Sequence, residues 1–246
     1  MIQVRGASVS FGERQVLGGI SFDVPTGQFL CVVGPSGCGK STLLRLLAGL
    51  IRPSIGEISV EGRTVDGPAR ERAIVFQDYT KALLPWRTVA GNVALSLEAG
   101  GTREPERSRR VAELLAKMGL GHAVRHFPSQ LSGGMQQRVQ IARALAQDPK
   151  LLLMDEPFGA LDAITRQGLQ DEVARLALDR RTTVVFITHD LEEAIYLGDQ
   201  VIVLSEKGSI AERVQIDIPR PRTQLETRED ARFLAYRHRL FGLLQH

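Results

Sequence analysis

The sequence predicts an α/β fold in which a largely parallel sheet is covered by helices on both faces. Short apolar runs, which are typical of buried strands, alternate with segments whose apolar residues recur at helical spacing. The run FLCVV at 29–33 leads directly into a glycine-rich loop and then into a helical pattern. A second run, LLLM at 151–154, is followed by two carboxylates. Such alternation indicates parallel strands that are joined by helical crossovers.

Turn residues and changes of periodicity set the expected boundaries of the elements. A helix is expected over 41–50 and another over 161–178. Between about 89 and 148 the pattern is helical, which predicts a helical subdomain inserted between core strands. Strands are predicted over 2–9, 19–24, 28–33, 57–60, 74–76, 183–187 and 201–204.

The composition is that of a soluble folded protein with a sizeable core. Of 246 residues, 43% are hydrophobic and 24% are charged, and a net charge of +3 is too small to indicate nucleic-acid binding. Two cysteines, Cys31 and Cys38, make no disulfide framework and favour a reducing cytosol. The N-terminus lacks a signal peptide's apolar run, and no stretch approaches the ~20 apolar residues of a membrane span. If the protein acts at a membrane, we therefore expect it to bind there on the cytosolic side.

Residues 34–42, GPSGCGKST, match the phosphate-binding pattern G-x-x-x-x-G-K-[ST], with a strand before and a helix after. Glycines let backbone N–H groups point at a phosphate, and the helix N-terminus adds its positive end. Lys40 is expected to reach the outer phosphates and Ser41 to coordinate Mg²⁺. The candidate triphosphate-binding residues are Gly34, Pro35, Ser36, Gly37, Cys38, Gly39, Lys40, Ser41 and Thr42.

The residues after the LLLM strand supply the acidic groups that a phosphate loop requires. Asp155 is expected to lie on the metal side, and Glu156 is placed to polarise an attacking water. His189 directly follows the strand-like TVVFIT and is a candidate for the far side of the γ-phosphate. Taken singly, a capped strand end and a strand-end histidine are ordinary structural features. They indicate a functional site only in combination with the other motifs of this sequence.

A second anion site is predicted at residues 131–138, LSGGMQQR. Ser132 is expected to cap a helix here, while Gly133 and Gly134 leave its first backbone amides bare. One chain thus carries two phosphate-binding devices, and a simple kinase or GTPase does not need the second.

With these motifs in this order, the sequence resembles the ATP-binding cassette (ABC) ATPases over nearly its whole length, to about residue 215. The resemblance implies that Phe11 stacks on adenine, that Gln77 is the Q-loop glutamine, and that Asp162 in GALD belongs to the D-loop. It makes His189 the switch histidine. The implied cofactors are ATP and Mg²⁺, and the implied metal ligands are Ser41, Gln77 and Asp155.

The family's fold has a parallel P-loop core, an antiparallel β edge and an inserted helical subdomain. The resemblance therefore implies one cassette domain over 1–246, with residues 1–88 and 150–215 forming the core and its β subdomain. Residues of about 89–149 form the helical subdomain, and about 216–246 form a tail. The arginine-rich tail would suit nucleic acid or anionic lipid, but a solvated helix with a packing face is favoured. That face comprises Phe233, Leu234, Tyr236, Leu240, Phe241 and Leu244.

Longer segments resemble the branch that serves nitrate, sulfonate, taurine and bicarbonate importers. They are ALLPWRTVAGNVAL, HFPSQLSGGMQQRVQIARAL and LLLMDEPFGALDAITR. One departure is the five residues DYTKA between Gln77 and LLPW, where the common form has three. In the family that loop faces the membrane partner, so this departure leaves the identity of the transported solute undetermined. The segment Leu83–Trp86 is expected to receive a cytoplasmic helix of the permease, with ordinary core packing as the alternative.

The resemblance also implies the partners. Each ATP is expected to lie in a homodimer between Lys40, Ser41 and Gln77 of one subunit and Ser132 and Gly134 of the partner subunit. The dimer would bind integral membrane permease subunits at the cytoplasmic face, and indirectly a solute-binding protein, with no nucleic acid. One alternative is a soluble cassette ATPase outside transport. Another is a non-hydrolysing, ATP-gated scaffold, which predicts the loss of Glu156 or His189, yet both are present.

The two cysteines are expected to differ in reactivity. Cys38 lies in the phosphate loop beside a helix N-terminus, which favours the thiolate. Thiol reagents should then inhibit and MgATP should protect, while Cys31 in its buried strand stays unreactive.

Overall fold

The computed structural model describes residues 2–78 and 82–245, which divide into two compact units. Unit 1 comprises the chain up to Ala69 together with the chain from Ala177 onward, and unit 2 comprises Arg70–Leu176. The strands in chain order are β1 (Ile2–Phe11), β2 (Arg14–Val24), β3 (Phe29–Val33), β4 (Ile55–Val60), β5 (Arg63–Thr64), β6 (Arg72–Val75), β7 (Leu151–Asp155), β8 (Thr183–Ile187), β9 (Gln200–Leu204) and β10 (Ile210–Gln215).

Six α-helices of the described chain connect these strands, and two more follow the last strand. In chain order they are α1 (Lys40–Ala48), α2 (Val89–Ala99), α3 (Glu106–Lys117), α4 (Gly133–Ala146), α5 (Ala163–Arg180), α6 (Leu191–Leu197), α7 (Glu226–Glu229) and α8 (Ala231–Leu244). No helix in the described parts of the chain combines the length and the apolarity needed to cross a membrane.

Unit 1 contains an antiparallel sheet in the order β2-β1-β4-β5, which confirms the expected antiparallel β edge. Alternate residues in the second half of β2, namely Ile20, Phe22 and Val24, are buried, as a sheet with one covered face requires. Strand β2 starts at Arg14 rather than at the predicted residue 19. Its first half is rich in polar residues and glycine, so the apolar pattern missed it.

The parallel strands of unit 1 position the phosphate loop. Strand β3 lies between β8 and β9 and runs parallel to both, while β10 pairs antiparallel with β9. All five residues of β3 and of β8 are buried, which explains why every one of them except Thr183 is apolar. In unit 2, β6 runs parallel to β7, and the helices α2, α3 and α4 follow one another between these strands. The expected parallel core and inserted helices are confirmed.

Helix α1 begins at Lys40 and ends at Ala48, slightly earlier than the predicted 41–50. Gly49 ends it with φ 77°, and its N–H donates to the carbonyls of Arg45 and Leu46. A residue in the left-handed region is a common helix stop, and glycine adopts it without a steric penalty.

The C-terminal segment packs on unit 1 through part of the predicted face. Phe233 and Leu240 of α8 are buried, and Leu234, Tyr236 and Leu244 are half-buried. Phe241 is 56% exposed, so the prediction was wrong at that residue. The arginines of this segment make hydrogen bonds within the chain, as described below.

Candidate functional site

The glycine-rich loop between β3 and α1 requires glycine at two positions, for different reasons. Gly39 has φ 101°, and a Cβ placed there would lie 2.8 Å from the Val16 carbonyl oxygen and 2.7 Å from a Leu17 methyl carbon. Gly37 has φ 79° and open space around it. The loop therefore needs a bare backbone at Gly39 for packing and at Gly37 for conformation.

Lys40 begins α1 and is only 9% exposed, with its ammonium folded over the loop. Its Nζ donates to the backbone oxygens of Gly34 and Pro35, each at 2.8 Å. An ammonium has three N–H groups, so these bonds leave one donor for an oxygen outside the loop. Ser41 and Thr42 follow in the first turn and are half-buried. The loop thus presents a cation, two hydroxyls and a helix N-terminus, the groups that bind phosphate.

Cys38 departs from its predicted reactivity. Its side chain is buried, with 1% exposed, and this burial raises the pKa of the thiol above its ordinary value. The Lys40 ammonium acts in the opposite direction but is the smaller influence. The prediction of a favoured thiolate was wrong because desolvation outweighs the nearby positive charge. Burial also raises the pKa of Cys31, which is fully buried in β3.

The segment around His189 follows β8 in unit 1. His189 is exposed, whereas its neighbours are held in place. The Thr188 hydroxyl donates to the buried Glu193 carboxylate at 2.6 Å and accepts from the Asp190 N–H at 3.0 Å. Asp190 caps α6 by accepting from the N–H groups of Glu192 and Glu193, at 2.8 and 3.2 Å. The position of His189 is thereby tied to the start of α6.

Two predicted residues of unit 2 meet at the end of β7. The Gln77 side-chain nitrogen donates to Glu156 Oε2 at 2.9 Å, although the two residues are 79 positions apart. Glu156 follows Asp155, the last residue of β7, and has φ 45°. A glutamate in the left-handed region costs backbone energy, which is typical of functional turns. The hydrogen bond orients the Gln77 amide so that its carbonyl oxygen stays available to a cation.

The second predicted anion site begins α4 in unit 2. Ser132 caps the helix by accepting from the Met135 N–H at 3.3 Å, as expected. A Cβ at Gly134 would lie 2.8 Å from a methyl carbon of Leu161, so a larger residue would push these segments apart. Asp162 follows and caps α5, accepting from the Thr165 N–H at 3.0 Å. This bond lowers the pKa of the Asp162 carboxyl.

Leu83–Trp86 is neither wholly core nor wholly surface. Leu83 is buried, while Trp86 is 71% exposed. Asn92, on the buried side of α2, accepts from the Leu84 N–H at 2.8 Å. Its amide nitrogen lies 3.1 Å from the carbonyls of Leu84, Arg87 and Thr88. Asn92 thus holds the segment that presents Trp86.

Known proteins with similar sequences identify the family. The ABC transporter family model matches residues 17–159, more than half of the chain. The chain belongs to the ABC transporter ATPase family. Its relatives include the uncharacterized ABC transporter ATP-binding protein MJ0412 of Methanocaldococcus jannaschii, 47% identical over 95% of this chain and 86% of that protein. The nitrate transport protein NasD of Klebsiella oxytoca is 42% identical over 99% of this chain and 96% of its own length.

Solved ABC cassettes share the fold. The dimeric structure of MJ0796, a bacterial ABC transporter cassette, matches with a TM-score of 0.80 and 32% identity, over 89% of this chain and 100% of that chain. A second dimeric structure of MJ0796, in a post-hydrolysis state bound to ADP and Pi, matches with a TM-score of 0.79 and 31% identity over the same shares.

The predicted site residues of this ABC cassette fall on both units. Unit 1 carries Phe11, which is 55% exposed at the end of β1, the loop at 34–42, and His189. Unit 2 carries the others: Gln77, Ser132, Gly133, Gly134, Asp155, Glu156 and Asp162. Of the loop DYTKA, residues 79–81 lie outside the described residues.

Sequence reasoning missed two supporting residues of the cassette. Asn92 carried one signal, a polar residue at an apolar position of a helical pattern, and it was passed over. Glu193 had no signal, because a glutamate in the first turn of a helix is ordinary and usually exposed. Its burial beside Thr188 comes from the tertiary structure.

Proposed function

We propose that this chain hydrolyses ATP as the motor subunit of an ABC importer for a small anion or an organosulfonate. The observation that carries the proposal is the Gln77–Glu156 hydrogen bond of 2.9 Å. It holds a carboxylate directly after the strand that ends in Asp155. A scaffold that only binds ATP has no need of an oriented carboxylate there, so hydrolysis is the better explanation.

Each motif has one proposed role at the triphosphate. Lys40 and the loop amides bind the outer phosphates, and Phe11 stacks on adenine. Oxygen ligands suit Mg²⁺, and the Ser41 hydroxyl, the Asp155 carboxylate and the Gln77 carbonyl are of this kind. The bound metal ion would neutralise charge on the phosphate oxygens.

The chemical step is assigned to two side chains. Glu156 orients a water and accepts its proton as the water attacks the γ-phosphate. His189 donates a hydrogen bond to a γ-phosphate oxygen and so stabilises the charge that the transition state spreads over it. Both residues are held by neighbours, Glu156 by Gln77 and His189 through Thr188 and Asp190.

The proposed working form is a homodimer in which Ser132, Gly133, Gly134 and Asp162 complete the partner's site. The dimeric cassette MJ0796, which covers 89% of this chain, supports this assembly. Because the γ-phosphate lacks half of its donors until the dimer closes, closure and hydrolysis would be coupled.

The proposed membrane partner is a permease that binds at Leu83–Trp86 on the cytoplasmic face, with a solute-binding protein on the other side. An exposed Trp86 on a segment fastened by Asn92 suits a rigid docking site. The nitrate transport protein NasD, 42% identical over 99% of this chain, supports a small anion as solute. The resemblance extends the candidates to sulfonate, taurine and bicarbonate.

The test is Glu156→Gln. The substituted amide keeps an oxygen that accepts from Gln77 but cannot take a proton from water, so turnover should fall by about 10²–10⁴-fold. ATP affinity should be unchanged, because Lys40 and the loop are intact. Steady-state phosphate release and fluorescent ATP binding measure the two quantities. Glu113→Gln on the exposed side of α3 makes the same chemical change away from the motifs and should hydrolyse normally.

ATPase activity near the wild-type level in Glu156→Gln would remove Glu156 from this role. Transport is tested separately, by uptake of labelled nitrate, bicarbonate or taurine in cells that carry the wild type, Glu156→Gln or Glu113→Gln. We expect the uptake of one of these solutes to be lost with Glu156→Gln alone. Equal uptake of all three solutes in every strain would contradict the proposed solute class.

A further inference from the structure

Four arginines of the C-terminal segment bind the two ends of α6, the helix that follows His189. They form what we name the arginine clamp: Arg220, Arg222, Arg228 and Arg237. The proposed function gives this segment no role. All of the clamp, α6 and His189 belong to unit 1.

One half of the clamp covers the C-terminal end of α6. Arg222 Nη1 lies within hydrogen-bonding distance, 2.7–3.0 Å, of three carbonyl oxygens at the helix end: those of Ile195, Tyr196 and Gly198. Arg220 donates to the Leu197 carbonyl at 2.5 Å and to Asp199 at 2.8 Å. The last carbonyls of a helix lack partners within it, so these guanidinium groups satisfy them. Burial, and secondarily Arg220, lowers the pKa of Arg222 to about 10, and the group stays charged at neutral pH.

The other half holds the N-terminal end of α6, next to His189. Arg228 donates to Glu192 Oε2 at 2.5 Å, and Arg237 donates to Glu192 Oε1 at 3.2 Å. Arg228 also lies over the rings of Tyr196 and Phe233, 5.4 and 6.0 Å from their centroids. Both oxygens of one carboxylate in the first turn are therefore bound by the tail.

Helix α6 depends on such support because it has only seven residues. A helix this short does not form by itself, since nucleation costs more than a few hydrogen bonds return. Asp190 caps the helix, and its first turn carries Glu192 and Glu193. The bonds of Asp190 and Glu193 reach Thr188 and thus flank His189. A shift of the first turn would move the His189 backbone with it.

We propose that the arginine clamp positions His189, so that docking of the C-terminal segment on α6 sets the rate of ATP hydrolysis. This rests on the proposed function for the role of His189 at the γ-phosphate. The clamp arginines act through α6 and touch no nucleotide; they are positioning residues. Any event that draws Arg228 and Arg237 away from Glu192 would slow turnover without weakening ATP binding.

The experiment removes the half of the clamp that lies nearest to His189. The variant is Arg228→Gln with Arg237→Gln; these side chains are partly exposed, at 22% and 43%, so their loss leaves the core intact. The control is Arg232→Gln with Arg239→Gln, which removes the same charge from the same C-terminal segment. Those arginines pair with Asp230 and Glu212 and not with α6.

Two measurements made without ATP report whether the position of His189 has changed. In the clamp variant we expect amide hydrogen exchange over residues 188–197 to speed up about tenfold. The His189 imidazole NMR signals, assigned with His189→Ala, should shift. The control variant should match the wild type in both. In ATPase assays the clamp variant should lose about tenfold in kcat, because misplacing a group by a fraction of an ångström is costly. Its KM for ATP should not change.

Unchanged exchange and unchanged His189 signals in the clamp variant would overturn the proposal. So would an equal loss of kcat in the control variant, or a loss that appears wholly in KM. Glu192→Gln offers a second route to the same result: added to the clamp variant, it should cause little further loss, because the same contact is already gone. If the wild type hydrolysed no ATP, the proposed function would fail, and the exchange and NMR measurements would still decide whether the clamp positions His189.

Discussion

Two opposing influences set the pKa of the Cys38 thiol. The positive end of α1 and the Lys40 ammonium favour the thiolate, and burial within the loop disfavours it. Burial is the larger influence, because the side chain is almost fully enclosed. The thiol of Cys38 should therefore remain protonated at neutral pH and react slowly.

This predicts the alkylation kinetics of Cys38. With iodoacetamide at pH 7–8, Cys38 should react more slowly than the thiol of an unfolded peptide, because each unit by which a pKa rises lowers the thiolate fraction about tenfold. The rate should climb as the pH is raised further. Mass spectrometry of the labelled peptide measures it, with Cys38→Ala identifying the site and unfolding in denaturant giving the full reactivity of both cysteines. Labelling of the native protein as fast as that of the unfolded chain would contradict the burial argument.

Most of the candidate site residues can be proposed from the sequence because their chemistry demands a fixed spacing. The nine residues at 34–42 follow one pattern, and Asp155 and Glu156 follow one strand. The Gln77–Glu156 hydrogen bond joins residues 79 positions apart, so no local pattern reveals it. The left-handed backbone of Glu156 is equally invisible, because glutamate gives no sign of it as glycine would.

At the scale of elements, strands with unbroken runs of apolar residues could be predicted from the sequence, and strands without such runs could not. Strand β8 has its predicted bounds, 183–187, because all five of its residues are buried and the four at 184–187 are apolar. Strand β10, Ile210–Gln215, was not predicted, because its partly exposed sequence IAERVQ has only one fully buried residue. Edge strands pair on one side only, so they tolerate charged residues that hide them from a search for apolar runs.

The end of α5 shows a helix stop that the sequence also hides. Arg181 has φ 53°, its N–H donates to the Leu178 carbonyl at 3.1 Å, and the Thr182 N–H donates to the Ala177 carbonyl at 2.9 Å. This pair of bonds is the Schellman motif, whose left-handed position usually holds glycine. An arginine there costs the free energy of a strained backbone.

Arg181→Gly should therefore stabilise the protein. Relief of the left-handed strain, less the extra entropy of glycine in the unfolded chain, is worth about 1 kcal/mol. Arg181→Ala is the matched control: it removes the same exposed side chain but keeps a Cβ, so it should show no such gain. Equilibrium unfolding in urea measures both free energies. Equal stability of the two variants would mean that the backbone at Arg181 is not strained.

At the scale of the whole molecule, the two phosphate-binding devices argue for a shared site. Ser132 caps α4 with its hydroxyl accepting from Met135, which leaves the first N–H groups of the helix to an external anion. The chain also has the Lys40 loop, the first proposed phosphate-binding device, where the Lys40 ammonium donates to the Gly34 and Pro35 carbonyls. Two devices per chain match one triphosphate per subunit if each site uses one device from each subunit of a dimer, and the dimeric cassette MJ0796 supports that arrangement.

Mixed dimers test this arrangement. Lys40→Ala cannot hold the outer phosphates, and Ser132→Arg blocks the second device with a bulky side chain, so each homodimer should fail. In a heterodimer of the two variants, a shared-site arrangement puts both lesions on one site. The other site then combines an intact Lys40 with an intact Ser132 of the partner subunit. Mixing two inactive proteins should thus restore one complete site.

The readout is nucleotide trapping, because cassettes that need both sites would turn over slowly even with one restored. Adding Glu156→Gln to both chains prevents hydrolysis and lets ATP accumulate at a closed site. We expect about one trapped ATP per heterodimer, because one of its two sites is complete. Either variant homodimer should trap none, and the Glu156→Gln parent should trap about two per dimer. If Ser132 served its own subunit instead, each site of the heterodimer would carry one lesion and mixing would restore nothing. The absence of trapped ATP in a heterodimer purified through two different affinity tags would therefore exclude the shared site.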